Sequence, residues 1–397
     1  MKTKWRTALL EDLTQSDSPI TYGVVKPGDT GDVKFVRGGD IADGLIYEDQ
    51  LRTITTEVSQ QYKRTLLRGG ELLISLVGQP GQVAVAMPTL AGANIARQVG
   101  LIRLQDDLDA EFACYYLRSP DGIDALGKFT GGSVQQVINL GDLRRVEVPV
   151  PPLSEQQRIV TLLDEAFDGI ATAKANAEKN LQNARAIFES HLQSVFTKRG
   201  DGWQDKTLEQ ISTTFGRGKS RHRPRNEPKL YGGKYPFIQT GDIRNAGHFI
   251  TEYSQTYSEL GLAQSKLWPK GTICITIAAN IAETGILGFD ACFPDSVIGV
   301  VPNPAEAEVG FVEYLLQSFK VRIQALGQGS AQANINMGTF ENERFPFPRV
   351  EEQLHIVAKL DDLSEETKRL EFVYQQKLTA LDELKKSLLH RAFNGDL

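Results

Sequence analysis

The segment from Pro149 to Lys198 constrains the fold more than any other, because it reads as one long helix and the chain carries it twice. It opens Pro149-Val150-Pro151-Pro152-Leu153-Ser154-Glu155-Gln156-Gln157-Arg158-Ile159. The prolines forbid a preceding helix, Ser154 is placed to cap the first turn, and Glu155 complements the helix dipole. From Ile159 the apolar or small residues recur at Leu163, Ala166, Ile170, Ala173, Ala177, Ala184 and Ile187, interrupted by Asn180. That is a heptad seam sustained for about five heptads, the pattern of a coiled coil.

The second copy ends the chain. Phe345-Pro346-Phe347-Pro348 precedes Glu352-Gln353 and Ile356-Val357, and a seam follows at Leu360, Leu363, Thr367, Leu370, Tyr374, Lys377, Leu381, Leu384 and Leu388. At one constant offset Leu163 corresponds to Leu360, Ile170 to Thr367, Leu181 to Leu378 and Ile187 to Leu384. A repeat this long means two domains, not a solenoid. Landmarks ahead of each helix agree: Trp5 with Trp203, Phe35-Val36…Gly39-Asp40-Ile41 with Phe237-Ile238…Gly241-Asp242-Ile243, and Gly70-Glu71-Leu72-Leu73-Ile74-Ser75 with Gly271-Thr272-Ile273-Cys274-Ile275-Thr276. The sharpest match sets Gly132-Ser133-Val134-Gln135-Gln136-Val137-Ile138-Asn139 against Gly329-Ser330-Ala331-Gln332-Ala333-Asn334-Ile335-Asn336. Standing just before each helix, it is expected to fix the domain to the helix pair.

The fold expected is α+β: two similar mixed α/β domains, 1–152 and 201–348, separated by two long antiparallel coiled-coil helices, 153–200 and 349–397, with pseudo-two-fold symmetry. Short β-rich runs at Val33–Arg37, Glu71–Leu76 and Gln82–Ala86 and helices from Ala110 to Leu117 and Gly122 to Lys128 fill the first domain. The residues expected to pack the helix pair are Ile159, Leu163, Ile170, Asn180 and Ile187 against Ile356, Leu360, Leu363, Leu370, Lys377, Leu381, Leu384 and Leu388. Asn180 and Lys377 occupy equivalent mid-seam positions, where a polar residue sets register at some cost in stability.

The 3 cysteines, Cys114, Cys274 and Cys292, are odd in number and lack CxxC spacing, which points to a reducing compartment and away from a disulfide framework or a zinc site. That compartment is expected to be the cytoplasm, and because no apolar run reaches the ~18 residues of a membrane span a soluble protein is expected. The net charge of −6 opposes nucleic-acid binding only if charge is evenly spread. It is not: Arg217, Lys219, Arg221, Arg223 and Arg225 crowd one Gly- and Pro-punctuated run, while acids such as Asp164-Glu165 and Asp361-Asp362 lie on the helices. An acidic scaffold can carry a basic reading head, and Arg both clamps phosphate and reads guanine edges. In the first domain the corresponding candidates, Lys34, Arg37, Lys63, Arg64 and Arg97, are scattered.

Catalytic motifs are not legible. Gly218-Lys219-Ser220 lacks the earlier glycine of a phosphate loop, Thr213 standing there. The 5 histidines, His191, His222, His248, His355 and His390, show no metal-ligand spacing and read as surface residues. No Asn-Pro-Pro-Tyr or Asp-Pro-Pro-Tyr run suggests methylation of a base amine. Catalytic and metal-ligating residues are therefore expected to be none. Two alternatives stay open: a metal-dependent nuclease with dispersed acids, and a stand-alone DNA-binding or scaffold protein.

Duplicated variable domains, each followed by a proline-led helix with Glu155-Gln156 or Glu352-Gln353 in its first turns, resemble the specificity subunit of type I restriction-modification systems. The resemblance covers the full chain and includes its end, Leu388-Leu389-His390-Arg391-Ala392-Phe393-Asn394-Gly395-Asp396-Leu397. It implies a non-catalytic subunit whose domains each read half of a split double-stranded DNA target. Its helices would hold two methylation subunits and join restriction subunits carrying nuclease and translocase activity. No cofactor is implied in this chain; S-adenosylmethionine, ATP and Mg would belong to the partner subunits. The second copy departs from the pattern at Arg349-Val350-Glu351, which leaves its helix start open.

Overall fold

A computed structural model describes residues 5–128, 136–221, 224, 227–278, 281–327, 337–394 and 396–397. The chain divides into two compact units, Met1–Glu178 with Gln375–Leu397, and Lys179–Tyr374.

In the first unit the strand Arg6–Leu9 pairs antiparallel with Glu147–Val150, the strand that feeds the first long helix, Arg6 opposite Val150. A four-stranded sheet runs in the order Thr21–Tyr22, Val99–Ile102, Leu72–Ser75, Val83–Val85. Leu72–Ser75 is buried on both faces, which is why Leu72-Leu73-Ile74 reads as a continuous apolar run rather than an alternation. The helices Ala110–Arg118 and Pro120–Gly127 cover this sheet through Phe112, Leu117 and Leu126. A smaller sheet orders Arg52–Ile54, Val33–Val36 and Asn94–Ile95. The second unit repeats the plan. Gln204–Lys206 pairs with Phe345–Phe347, and Ile273–Thr276 lies between Val297–Pro302 and Thr284–Leu287. Helix Val309–Ser318 covers them.

The long helices span Leu153–Thr197 and Val350–Phe393. Ser154 is not the cap: the helix has already begun at Leu153, and the Pro152 carbonyl accepts from the amides of Glu155 and Gln156 at 2.8 and 3.1 Å. The second helix starts at the equivalent place despite its different sequence. There the Arg349 carbonyl accepts from Glu352 and Gln353 at 3.0 and 3.1 Å.

Each helix start is locked to its unit by a buried glutamine. Gln156 accepts from the Asp109 amide at 2.7 Å and donates to the carbonyls of Asp107 and Pro151 at 2.9 and 2.8 Å. Gln353 accepts from the Glu308 amide at 2.8 Å and donates to the carbonyls of Glu306 and Pro348 at 3.2 and 2.9 Å. Asp109 and Glu308 in turn cap the helices beginning at Ala110 and Val309 through the amides of Phe112 and Phe311. Two turns further on, Tyr115 donates to Asp164 at 2.5 Å and Tyr314 to Asp361 at 2.6 Å. Burial first, then the carboxylate, pushes both tyrosine hydroxyls above their usual range.

Within each unit the helical segments run antiparallel. In the first, Lys174 pairs with Asp382 at 2.7 Å, Lys385 lies 5.0 Å over the Phe167 ring, and Arg158 donates to the Leu397 carbonyl at 2.9 Å, so rising numbers meet falling ones. In the second, Arg185 pairs with Glu371 at 2.9 Å, and Leu192 and Phe196 share a core with Leu360.

The seam departs from the sequence reading at alternate layers. Ile159, Leu163, Ile170 and Leu360 are buried and Ile356, Leu363, Leu381 and Leu388 half-buried, but Asn180, Ile187, Leu370, Lys377 and Leu384 are exposed. Where the spacing permits a step of three or four, Leu181 supplies more apolar surface than Asn180, and Leu378 more than Lys377. That choice carries Phe188 inward in place of Ile187, and Glu371 and Lys385 in place of Leu370 and Leu384. No polar residue at Asn180 or Lys377 therefore sets the register. The Gly-Ser-x-Gln segment lies outside the described residues at 132–135 and 329–336. Of its described end only Ile138 is domain core, its amide donating to the Leu76 carbonyl at 2.9 Å, while the exposed Asn139 caps a short helix by accepting from the Asp142 amide.

This seam makes a direct prediction. Leu163→Ala, at a site with 0% exposure, should cost about 2–5 kcal/mol in denaturant unfolding, whereas Leu384→Ala, 46% exposed, should change stability by no more than about 0.5 kcal/mol.

Candidate nucleic-acid interface

The basic run leaves the end of strand Ser212–Arg217. Arg217 is exposed, but its guanidinium donates to the Asp295 carbonyl, through Nε at 2.7 Å and also through Nη2. Gly218 is buried against Phe293 and Pro294, where a Cβ would fall 2.3 Å from the Phe293 carbonyl oxygen. Its amide donates to Val297 at 2.8 Å, which fixes the start of the run. Lys219 and Arg221 are exposed; Arg223 and Arg225 lie outside the described residues.

The structure adds a lysine that the sequence reading missed. Ser265 donates to the Lys219 carbonyl at 2.8 Å, and the next residue, Lys266, sets its ammonium 3.5 Å over the buried Trp268 ring. Burial and the like charge of Lys219 hold the Lys266 amine below the usual lysine range. A half-buried lysine beside a second cation is stabilised by any anion that settles between them. The signal was present in Lys266-Leu267-Trp268: alternation in an extended strand puts the first and third residues on one face.

In the first unit the scattered cations divide. Lys34 is paired with Glu48 at 2.8 Å. Arg37 is held by Asp40, Nε to Oδ2 at 3.1 Å and Nη2 to Oδ1 at 2.6 Å, and this partner raises its guanidinium pKa further. Lys63 and Arg64 are exposed on a single turn, Lys63–Thr65, where the Arg64 carbonyl accepts from Arg103 at 3.2 Å. Arg103 is structural, buried beside Glu71 at 3.4 Å. Arg37 and Arg97 come together with Arg52, another residue the sequence reading passed over, around one cleft of about 500 Å³.

His248 corrects the reading of the histidines as surface residues. It is buried, 2.6 Å from Glu313 through Nδ1, and stacks on Tyr314. Glu313 also accepts from Thr284 at 2.7 Å and from Gln317, so the pair is a satisfied core network. His191, His355 and His390 are exposed, and His222 lies outside the described residues. The three cysteines are buried and free, and burial pushes the Cys114 thiol up to about 12. Among the described residues no group of His, Cys, Asp and Glu is placed to hold a metal ion, and no helix is long and apolar enough to cross a membrane.

If the Lys219–Lys266 pair meets phosphate, Lys266→Ala should weaken duplex binding and lower the slope of log affinity against log salt by about one. Arg217→Ala should do less, since that guanidinium already serves the Asp295 carbonyl. Filter binding from low to high salt measures both.

The model for type I restriction modification DNA specificity domains matches residues 3–182 and again residues 200–380. Among curated relatives, the Escherichia coli type I restriction enzyme EcoBI specificity subunit is 29% identical over 239 residues, 58% of this chain and 49% of its own length. A putative type I restriction enzyme specificity subunit from Methanocaldococcus jannaschii, MjaX, is 23% identical over 277 residues, 66% of this chain and 62% of its own. The matches thus span about half to three fifths of those relatives. Of solved structures, a chain from a study of complex assembly and conformational transition of the type I R-M system matches with a TM-score of 0.80 at 19% identity, covering 100% of this chain and 99% of its own. The HsdS subunit from Thermoanaerobacter tengcongensis matches at 0.67 and 19%, covering 100% and 98%. At that identity the likeness is one of fold. With two matched copies accounting for most of its length, the chain belongs to the family of type I restriction modification DNA specificity domains.

Proposed function

We propose that this chain is the non-catalytic DNA-specificity subunit of a cytoplasmic type I restriction-modification complex. Domain 1–152 reads one half of a split duplex target and domain 201–348 the other. The helices 153–200 and 349–397 hold the two readers and dock two methylation subunits, which supply S-adenosylmethionine. ATP and Mg serve the restriction subunits. The observation that carries this reading is that one domain-to-helix joint is built twice, through Gln156 and Gln353, while the cations displayed by the two domains differ in position. Two like frames with unlike surfaces suit two unlike half-sites. DNA contact is assigned to Lys219 and Arg221, with Arg223 and Arg225, in the second domain, and to Lys63, Arg64 and Arg97 in the first. Arg217, Lys34 and Arg37, which already hold partners, contribute less.

The test is to map methylated adenines in cells expressing this chain with its methylation partner. A bipartite motif with a fixed spacer is expected. A continuous motif, or cleavage of DNA by the purified chain alone in magnesium, would contradict the reading.

A further inference from the structure

Around the first-unit cleft, the strand Arg52–Ile54 pairs with Val33–Val36 so that Arg52 stands opposite Phe35. On the other wall Val24 bridges to Ala96, and the Arg97 amide donates to the Val24 carbonyl at 2.9 Å. Gly23 approaches so closely that a Cβ there would lie 1.8 Å from the Ile95 carbonyl oxygen. The walls are thus fixed by backbone bonds, and the cleft of about 500 Å³ is preformed, with Phe35, Val24 and Ala96 among its apolar lining. Of its three guanidiniums, Arg37 is neutralised by Asp40. No ion pair is found for Arg52 or Arg97 among the described residues, and both are exposed. Two uncompensated like charges at the rim of one concavity are relieved by an anion lying across it.

We propose that this cleft grips the DNA phosphodiester backbone at the first half-site, with Arg52 and Arg97 as its phosphate contacts and Arg37 as a positioning residue. A concave, cation-rimmed site fits the convex edge of a duplex strand; reading base edges calls for a side chain protruding into a groove. Arg52 and Arg97 then supply affinity and register, and the base reading of the first half-site lies elsewhere. This inference rests on the proposed DNA-binding function.

The experiment uses the full chain with its methylation partner and compares wild type with the double variants Arg52→Ala/Arg97→Ala and Arg52→Lys/Arg97→Lys on cognate and scrambled duplexes across a salt series. The alanine pair should weaken both duplexes alike and lower the salt slope by about two. It should leave the methylated motif unchanged. The lysine pair should restore the slope, because the slope counts the phosphates neutralised and lysine meets a phosphate as a point charge. Unchanged duplex affinity, a changed first half-site motif, or failure of the lysine pair to restore the slope in a protein with a wild-type melting temperature would overturn the proposal. So would displacement of DNA from the cleft by free dAMP or ATP, which would make it a site for a free nucleotide. If wild type itself yields no bipartite motif, the function proposed above has failed instead; the salt slope on scrambled duplex still decides the phosphate grip.

Discussion

The buried glutamine in the first turns of each long helix is the interaction on which the rest depends. Gln156 and Gln353 have 0% exposure, and each satisfies one amide and two carbonyls that the chain exposes where strand, helix start and domain helix converge. An apolar side chain there would leave one buried carbonyl, that of Pro151 or Pro348, without this partner at about 1–3 kcal/mol, and would strip a hydrogen bond from two part-buried backbone groups besides. Around this joint the aromatic packing repeats: Phe393 meets Phe112 edge-on at 5.3 Å, and Phe196 meets Phe311 at 5.3 Å. Trp5 packs on Phe112 and Trp203 on Phe311 in the same manner. The joint thus fixes how a domain leaves its helix without constraining the far side of the domain.

That freedom shows in the charged surfaces. The second unit gathers Lys219 and Lys266 beside a buried tryptophan; the first sets three arginines around a cleft. Cys114 occupies the first unit's helix next to Tyr115, and the residue before Tyr314 is Glu313, which anchors His248. One scaffold therefore tolerates different buried chemistry as well as different display.

The frame was legible in the sequence because repetition and heptad spacing report on burial directly. Prolines marked both helix starts, and the landmark strands fell where their apolar runs lay. Legibility failed where the heptad spacing admitted two steps or where the signal was non-local. Asn180 against Leu181 is a choice of step that only packing decides, and it left Ile187, Leu370 and Leu384 exposed. Ser154 has the chemistry of a cap, but Pro152 already provides the first accepting carbonyl. The cationic surroundings of Lys266 and Arg52 are not legible from local sequence, because the fold assembles them from separate strands and loops. His248 gained its buried partner from a helix distant in sequence.

The central claim is that the domains read while the helices hold. It is tested by inserting one heptad after Asn180 and one after Lys377, which keeps both seams in phase and lengthens each helix by about 10 Å. The methylated motif should keep both half-sites and change only its spacer, by up to about three base-pair steps at ~3.4 Å each. New half-site bases at the old spacing would show that the helices take part in reading, and the account would fail.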